Sequence, residues 1–311
     1  MIITHQPVMV DEVIRYLITT PEGVYVDGTV GTGGHSVEIC KRIAPQGELI
    51  CLDIDRTSIQ VAEERLSSFG QRVRIFRESY VDLDKALEGI GIDKVTGIFL
   101  DLGMSSYQLE SSGRGFSFIK DEPLDMRMDQ DTGITASQLV NTMPRERLQA
   151  LLWDYAQERW AKLIARAIGE ERRKGPIRSS RQLARLVEAT IPRKHHPRKR
   201  HPATKTFQAL RIAVNRELDN IADFLEKAPV LLVKGGRLVV ISYHSLEDRL
   251  VKQAMRRWER DDMHPERLPV FPSTRPPLMR PLSKKGLRPG QAEMNINPRC
   301  RSAIMRVAEG I

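Results

Sequence analysis

Two spacings of apolar residues alternate along the first hundred positions of the chain. Short runs rich in β-branched residues predict four strands, at residues 24–26, 49–54, 73–76 and 97–100. The segments near 34–42 and 57–68 have the apolar spacing of helices. This alternation is typical of an α/β fold with a parallel, doubly wound sheet. Because the run at 49–54 is almost entirely apolar, we expect that strand to be buried on both faces.

The alternation stops after Asp101 and resumes only in the last third of the chain. A helical stripe precedes a fifth predicted strand at 236–242, and its apolar members are Phe207, Leu210, Val214, Leu218, Ile221 and Leu225. We therefore expect residues 106–203 to form an inserted, mostly helical domain, and residues 1–105 and 204–311 to form one discontinuous α/β domain. Within the insert, Thr135–Gln138 and Ser179–Gln182 fit capping boxes, which mark the first turns of helices.

A glycine-rich segment, Asp27-Gly-Thr-Val-Gly-Thr-Gly-Gly-His35, joins the first predicted strand to the first predicted helix of the sheet. Glycines in such a turn let a ligand approach the backbone closely, and the N–H groups of the following helix can bind it. The spacing is Gly28-x-x-Gly31-x-Gly33, whereas dinucleotide sites have Gly-x-Gly-x-x-Gly. This difference favours a nucleoside cofactor without a pyrophosphate, such as S-adenosylmethionine. A tight structural turn is the alternative.

Acidic and aromatic residues follow several of the predicted strands, at the edge where a parallel sheet holds its ligands. Asp53 lies 20 residues after Gly33 (53 − 33), the offset at which a carboxylate meets the ribose hydroxyls of a nucleotide. Asp55 is expected to cap the next helix instead. Tyr80 is placed either to close over an adenine ring or to join the core. Asp101 ends the fourth strand at the same edge.

Composition limits the class of protein and the class of partner. The 311 residues are 41% hydrophobic and 29% charged, as in ordinary globular proteins, and no apolar run reaches membrane-spanning length. The three cysteines are scattered, which predicts thiols in a reducing compartment and neither disulfides nor a zinc site. We therefore expect a cytoplasmic protein without a membrane partner. The net charge of +9 favours polyanionic partners.

The positive charge is concentrated in two segments without acidic residues. No acid lies between Glu188 and Glu217, a stretch with eight Arg and Lys residues and three histidines, His195, His196 and His201. A second such stretch covers 267–292. We interpret both as loops that contact the phosphates of a structured nucleic acid; a solvated basic face is the alternative. Because no cysteine or carboxylate accompanies the histidines and cations surround them, no metal site is expected.

Eight segments, spread in order along nearly the whole chain, resemble a bacterial family, the small-subunit ribosomal RNA methyltransferase H family, also called the MraW family. They are Thr4–Met9, Asp27–His35, Asp101–Ser106, Arg114–Phe118, Pro123–Met128, His201–Gln208, Ser242–Arg249 and Asn297–Arg299. The resemblance implies a class I S-adenosylmethionine-dependent methyltransferase, with a Rossmann-like sheet and an inserted helical domain for substrate recognition. It also implies methylation of N4 of a cytidine in the decoding region of 16S rRNA, within the small ribosomal subunit.

The resemblance also assigns roles to individual residues. Contacts to the cofactor transfer to Gly33, Gly34, His35, Asp53, Tyr80, Asp101 and Gln108. Asp101 is the candidate catalytic residue, which would orient the cytosine amino group. However, the turn from Asp101 to Met104 lacks the Asp/Asn-Pro-Pro-aromatic sequence of other amino-methyltransferases, so a role in cofactor binding alone stays open. Further candidates for substrate binding are Arg198, Lys199, Arg200, Lys205, Arg211 and His244.

Three alternatives remain open at this stage. His244 could anchor the start of a helix instead of contacting the substrate. A nicotinamide-dependent dehydrogenase is disfavoured by the glycine spacing. A non-enzymatic ribosome-assembly factor that grips rRNA is disfavoured because the glycine loop and the acids after the strands are intact.

Overall fold

The computed structural model describes residues 7–198, 200–260, 277–283 and 285–311. The chain divides into two compact units. The first comprises Met1–Gly103 and Leu218–Ile311, and the second comprises Met104–Glu217. Within the described ranges, no helix has both the length and the apolar character needed to cross a membrane.

The strands belong to the first unit, whereas the helices are distributed over both units. The strands are β1 (Val24–Asp27), β2 (Glu48–Leu52), β3 (Val73–Phe76), β4 (Val95–Asp101), β5 (Leu232–Ser242), β6 (Met279–Pro281) and β7 (Ile304–Gly310). The helices are α1 (Val10–Leu17), α2 (Gly34–Arg42), α3 (Arg56–Leu66), α4 (Leu83–Glu88), α5 (Ser106–Glu110), α6 (Ala136–Thr142), α7 (Arg145–Ala156), α8 (Ala161–Glu171), α9 (Ser180–Thr190), α10 (Thr204–Asn215), α11 (Glu217–Lys227), α12 (Ser245–Arg260) and α13 (Gln291–Ile296). Short 3₁₀ turns include Tyr80–Asp82 and Arg193–His195.

One sheet organises the first unit. In the described part of the chain it has seven strands, in the order β3-β2-β1-β4-β5-β7-β6. The first five of these run parallel, and β7 lies antiparallel between β5 and β6. The five predicted strands are confirmed, and so is the predicted fold class, a doubly wound α/β sheet. The antiparallel pair β6–β7 was not predicted, because its strands lie outside the alternation of strands and helices.

Both faces of the central strands are buried. Successive side chains of a strand point to opposite faces, so Ile50 and Val240 pack on the side of α11 and α12. Cys51 and Val239 pack on the other side, with α1 and α2. The expectation that the second strand is buried on both faces is therefore confirmed. Each fully buried aliphatic side chain contributes about 1.5–3 kcal/mol, and these two layers hold the strand ends that carry the candidate site.

The helical stripe before β5 is divided between two helices rather than belonging to one. Arg216 adopts a left-handed conformation with φ of 51°, which ends α10 before α11 begins. Phe207 and Leu210 of α10 pack in the core of the second unit. Ile221 and Leu225 of α11 pack in the core of the first unit. The second unit therefore extends beyond the predicted insert, 106–203, to include α10.

The second unit encloses its own apolar core, to which α6, α7, α8, α9 and α10 contribute. The capping box predicted at Thr135 is confirmed, with reciprocal hydrogen bonds between Thr135 and Gln138. At the other predicted box, the Ser179 hydroxyl accepts from the Gln182 N–H, but the Gln182 side chain accepts from the Arg178 N–H instead. That box is therefore only half formed. The role of the unit in substrate recognition stays a prediction.

The loop before α6 depends on two polar side chains. Arg114 is buried and donates from its guanidinium to the carbonyls of Arg127 and Met128. Asn215, the last residue of α10, accepts from the Met128 N–H and donates to the Met126 carbonyl, both at 2.8 Å. Met126 itself has a positive φ of 62°. These bonds hold a conformation that a residue other than glycine rarely adopts.

We expect Asn215→Ala to lower the free energy of unfolding by about 2–3 kcal/mol, because backbone groups near Met126 and Met128 lose their partners. Urea denaturation followed by circular dichroism measures this change. Asn295→Ala on α13 is the control, because Asn295 is exposed and should change stability by less than about 0.5 kcal/mol. Equal denaturation midpoints for both variants would contradict the proposed role of Asn215.

Candidate active site

The glycine loop crosses the carboxyl edge of the sheet and is bonded to the strands on both sides of β1. The Gly28 N–H donates to the Phe99 carbonyl of β4 at 2.9 Å. The Val30 N–H donates to the Leu52 carbonyl of β2 at 3.0 Å. Because β4 and β2 flank β1, these bonds place the loop above the ends of three adjacent strands. This is the position in which parallel sheets bind ligands.

Two glycines of the loop are required by the local geometry. A Cβ atom at Gly28 would lie 2.5 Å from Leu100 Cδ2 and 3.0 Å from Tyr80 Cβ, so a larger residue would displace the loop. Gly33 has a φ of 79° and precedes α2 without a side-chain cap. The first N–H groups of α2, beginning at Gly34, therefore have no capping side chain from that position. This is the backbone arrangement expected for a ligand at a helix start.

Asp53 lies just after β2 and holds the glycine loop. Its Oδ2 accepts from the Gly31 N–H at 2.8 Å, and its Oδ1 accepts from the Asp55 N–H at 2.9 Å. Burial raises the pKa of the Asp53 carboxyl to about 6. Each carboxylate oxygen can accept a further bond, so Asp53 can also meet a ribose. Asp55 accepts from the Thr57 N–H and caps α3, which confirms its predicted role.

Asp27 is a third acid at this edge, and the sequence analysis assigned it no role. Its Oδ2 accepts from the Ser36 hydroxyl at 2.6 Å, and its Oδ1 accepts from the Thr29 N–H at 3.2 Å. Burial raises the pKa of its carboxyl to about 6. Asp27 therefore ties the glycine loop to the first turn of α2. The signal that could have identified it was its position at the end of a buried strand.

Asp101 ends β4 and lies between the glycine loop and the segment after β5. Its N–H donates to Thr29 Oγ1 at 2.7 Å, and its Oδ1 accepts from the Tyr243 hydroxyl at 2.8 Å. Burial raises the pKa of the Asp101 carboxyl to about 7; the bond from Tyr243 opposes this rise, and the nearby Glu247 adds to it. The side chain is 19% exposed, so it remains accessible to a ligand.

Tyr243 is a functional candidate that the sequence analysis missed. It follows β5 directly, and its ring lies 3.3 Å from the position that a Cβ atom of Gly103 would occupy. Gly103 has a φ of 112°, so a larger residue would be strained there. The absence of a side chain at Gly103 thus lets the tyrosine reach Asp101. A tyrosine after a strand resembles a core residue in sequence, and only the fold shows its partner.

His35 was predicted to contact the cofactor, and its side chain is instead held inside the protein. The ring is buried, with its centroid 4.7 Å from that of Phe99. Its Nε2 lies 2.8 Å from the Val8 carbonyl, so Nε2 carries the proton. Nδ1 is 3.6 Å from Asp101 Oδ2, which is too long for a hydrogen bond. Burial lowers the pKa of the imidazole. Any contact of His35 with a ligand is therefore restricted to its backbone.

The two remaining cofactor candidates lie in different units. Tyr80 begins the 3₁₀ turn after β3, beside Gly28, and its ring meets Phe224 edge-on with centroids 5.6 Å apart. Gln108 lies on α5 of the second unit, where it forms a capping box with Ser105. Tyr80 is thus placed at the carboxyl edge of the sheet, whereas a cofactor contact of Gln108 stays a prediction.

The candidate substrate residues of the second unit differ in accessibility. Arg198 and Arg200 are exposed, and Lys199 lies outside the described residues. Lys205 is also exposed, with its Nζ bonded to the Gln157 carbonyl at 3.0 Å. Arg211 differs, because its guanidinium makes two 2.8 Å bonds to Glu217, and the side chains are only 14% and 10% exposed. We therefore remove Arg211 from the candidate contacts to RNA phosphates.

His244 caps a helix, as the structural alternative predicted. Its Nδ1 lies 3.4 Å from the Glu247 N–H in the first turn of α12, and its Nε2 lies 3.0 Å from Glu247 Oε1. The side chain is only 13% exposed. Two neighbours also have structural partners, since Ser242 donates to the Ile304 carbonyl and Asp248 pairs with Arg306. The His244 ring thus lies at the start of α12, its buried Nε2 makes no hydrogen bond within the described part of the protein, and a contact of this side chain with the substrate stays a prediction.

The histidines of the basic segment each contact a protein group. The His195 ring lies 5.2 Å from that of Trp160, and the His201 ring 4.5 Å from that of Phe118. His196 Nε2 lies 2.9 Å from the Ile191 carbonyl. In the second basic stretch, Arg280 pairs with Glu309. Arg275 and Lys284 of that stretch lie outside the described residues.

The raised pKa of Asp101 predicts a pH-dependent stability. The folded protein holds this proton more tightly than the unfolded chain, whose carboxyl has an ordinary pKa of 3.8. The contribution to stability is therefore full below pH 3.8 and is lost as the pH rises through about 7. Between about pH 4 and pH 8, we expect the free energy of unfolding of the wild-type protein to fall by roughly 4 kcal/mol more than that of Asp101→Asn.

Urea denaturation across this pH range measures the effect. Asp93→Asn is the control, because Asp93 is exposed and its curve should run parallel to that of the wild type. Tyr243→Phe should extend the loss of stability to higher pH, because it removes the hydrogen bond that favours the ionised carboxyl. A wild-type curve parallel to that of Asp101→Asn would show that Asp101 titrates normally.

Comparison with known proteins identifies the family. A sequence model of the MraW methylase family matches residues 2–311. The chain is 46% identical to a protein of Geotalea uraniireducens named ribosomal RNA small subunit methyltransferase H, over 99% of this chain and 98% of that protein. It is 44% identical to a protein of the same name from Fervidobacterium nodosum, over 99% and 97% of the two chains.

One solved structure illustrates how far similarity of fold extends. A structure titled as that of a putative rRNA-methylase from Clostridium thermocellum covers 97% of this chain and 95% of its own, with a TM-score of 0.44 and 12% identity. This similarity is too low to add to the topology described above. The match to the family sequence model and the two relatives decide the question: the chain belongs to the MraW methylase family.

Proposed function

We propose that this protein transfers the methyl group of S-adenosylmethionine to N4 of a cytidine in the decoding region of 16S rRNA, within the small ribosomal subunit. Membership of the MraW methylase family and the names of the relatives support the reaction and the class of substrate. The observation that carries the proposal is the combination of a glycine loop with one buried and two partly buried carboxyls at the carboxyl edge of the sheet.

The charge of this edge favours one cofactor over another. Asp27, Asp53 and Asp101 all lie there; Asp27 is buried, Asp53 and Asp101 are partly buried, and burial raises the pKa of each carboxyl. S-adenosylmethionine carries a sulfonium and an ammonium group, which such carboxyls attract. A nicotinamide dinucleotide carries a pyrophosphate, which they would repel. The dehydrogenase alternative is therefore disfavoured by charge as well as by the glycine spacing.

The residues at this edge fit a nucleoside of this kind. Asp53 retains acceptor capacity for the ribose hydroxyls, and the first N–H groups of α2, which Gly33 does not cap, can donate to a ligand. Tyr80 lies beside the glycine loop, with its Cβ 3.0 Å from the position that a Cβ of Gly28 would occupy, so its ring is a candidate contact to the adenine. When bound, the cofactor supplies an electrophilic methyl group on its sulfonium.

The reaction requires that a weak nucleophile be oriented. The lone pair of the cytosine amino group is delocalised into the ring, so its hydrogens must be held while the nitrogen is aligned in line with the methyl group. Asp101 is the residue we assign to accept one of these hydrogen bonds or one from the cofactor. Because the methylated ammonium is strongly acidic, it loses its proton readily, and His244 is not needed as a base.

Exposed cations of the second unit are our proposed contacts to rRNA phosphates. Arg198, Arg200 and Lys205 are accessible in the structure, and Lys199 belongs to the same proposal on its sequence position alone. Cations at such positions would fix the register of the RNA without reading its sequence. The assembly-factor alternative shares this surface, so only the methyl transfer distinguishes it from the proposed enzyme.

The proposed reaction is tested with purified protein, small ribosomal subunits from a strain lacking the gene, and S-adenosylmethionine labelled in its methyl group. We expect the label in N4-methylcytidine from the decoding region, as identified by nuclease digestion and mass spectrometry. Free 16S rRNA tested in parallel shows which form is the substrate. Folded protein that transfers no label would favour an assembly factor, and label on another nucleoside would contradict the assigned target.

We expect Asp53→Ala to weaken the binding of S-adenosylmethionine by about ten- to a hundred-fold, because hydrogen bonds to a charged acceptor are lost. Isothermal titration calorimetry measures the dissociation constant. Asp55→Ala is the matched control, since Asp55 lies two residues away and caps α3. The affinity of this variant for S-adenosylmethionine should equal that of the wild-type protein.

A ligand analogue separates the ribose contact from the support that Asp53 gives the loop. S-adenosylhomocysteine without its two ribose hydroxyls should bind the wild-type protein and Asp53→Ala with similar affinity. If Asp53→Ala weakens the binding of this analogue as much as it weakens the binding of S-adenosylmethionine, Asp53 acts by holding the loop. The assigned contact between Asp53 and the ribose would then be wrong.

A further inference from the structure

Two tryptophans flank the connection between α7 and α8 in the second unit. Trp153 lies on the last turn of α7 and is 55% exposed. Trp160 lies directly before α8, with its ring 5.2 Å from that of His195 and tilted by 45°. The Gln157 N–H donates to the Trp153 carbonyl at 2.7 Å and ends α7 between them. Trp153 is therefore exposed and Trp160 is partly buried against the core of the unit, on either side of the Gln157 turn.

Three exposed cations lie at or near the connection that the two tryptophans flank. Lys205 Nζ donates to the Gln157 carbonyl, so the first turn of α10 reaches the same connection. Arg159 is exposed between the two tryptophans in sequence, and Lys194 is exposed beside His195. We call the set Trp153, Arg159, Trp160, Lys194, His195 and Lys205 the indole surface.

The acids of this stretch do not neutralise the indole surface. Glu158 is buried, and its carboxylate accepts from the Trp160 N–H at 2.9 Å at the start of α8. Asp154 is the one exposed acid in 153–160. Arg159 balances Asp154 within this stretch, and Lys205 at Gln157 and Lys194 beside His195 add positive charge to it, which favours a polyanion as the occupant.

Packing does not require an indole at Trp153. The buried side chains of α7 are those of Leu148, Leu151 and Leu152, which form the contact with the core of the unit. A tryptophan offers one of the largest apolar surfaces of any residue and is enriched where it meets a partner. Its exposure, on a unit whose α7–α8 connection carries Arg159 and meets Lys205, points to a ligand with flat rings and negative charge.

We propose that the indole surface binds an unpaired strand of RNA, with bases stacked on the tryptophans and phosphates on the neighbouring cations. This inference rests on the proposed function, since it assigns rRNA to the protein, and it adds that the bound segment is single-stranded. Bases in a duplex are already stacked on one another, whereas unpaired bases can stack on aromatic side chains.

Intrinsic fluorescence reports on this contact directly. The chain has three tryptophans, and Trp258 is buried in the core of the first unit. A single-stranded oligocytidylate of about seven nucleotides should quench the fluorescence of the full-length protein. A hairpin duplex with the same number of phosphates should quench it much less.

Trp153→Leu is the decisive variant, because leucine favours helix and the position is exposed. We expect its affinity for the single strand to fall by about ten-fold, with its affinity for the duplex and its thermal midpoint unchanged. Ile119→Ala is the matched control, since Ile119 is an exposed apolar residue of the same unit; it should change neither affinity. Unchanged affinity of Trp153→Leu for the strand, or an equal loss for the duplex, would overturn the inference.

The labelled methyl transfer to small subunits separates this inference from the proposed function. A wild-type protein that methylates cytidine, together with a Trp153→Leu variant of unchanged KM and unchanged strand affinity, would overturn the indole surface alone. A wild-type protein that shows strand-specific quenching but no methyl transfer would support the surface and contradict the proposed reaction.

Discussion

Asp27, Asp53 and Asp101 lie at the ends of adjacent parallel strands, and the conformation of the glycine loop depends on the carboxyls of the first two and on the backbone N–H of the third. Asp27 accepts from the Thr29 N–H, Asp53 accepts from the Gly31 N–H, and the Asp101 N–H donates to the Thr29 hydroxyl. The loop is thus held at alternate residues by the strands below it. A sheet buried on both faces is what keeps these strand ends in register, so the site depends on the core as well as on its own residues.

Holding the loop in this way has an electrostatic cost that a ligand can offset. Burial disfavours each ionised carboxyl and raises the three pKa values to about 6, 6 and 7. A cation bound at this edge would stabilise the ionised forms. Attraction between the carboxyls and the sulfonium would therefore contribute both to the affinity for this cofactor and to the preference for it. Tyr243 contributes to this balance, because its hydroxyl bond favours ionised Asp101. The segment after β5 is therefore part of the candidate site, although it is distant in sequence from the glycine loop.

The sequence predicted those features that depend on local spacing. The strands, the α/β fold class, the Asp55 cap and the box at Thr135 follow from periodicity and from residues within one turn of each other. Features that depend on distant partners were missed or wrong. The break at Arg216 has no glycine to mark it, and the Arg211–Glu217 pair and the inward orientation of His35 depend on contacts that form only in the folded protein. The assignments of Gln108 and Lys199 stay predictions.

The central claim is that the carboxyl edge of the sheet, around the glycine loop, binds S-adenosylmethionine. Hydrogen–deuterium exchange of the full-length protein with and without the cofactor tests it most directly, because it reports on the backbone N–H groups that the claim invokes. We predict slower exchange in residues 28–36, 53–55 and 101–103 when the cofactor is present. Protection confined to other parts of the chain, with exchange of these segments unchanged, would contradict the claim.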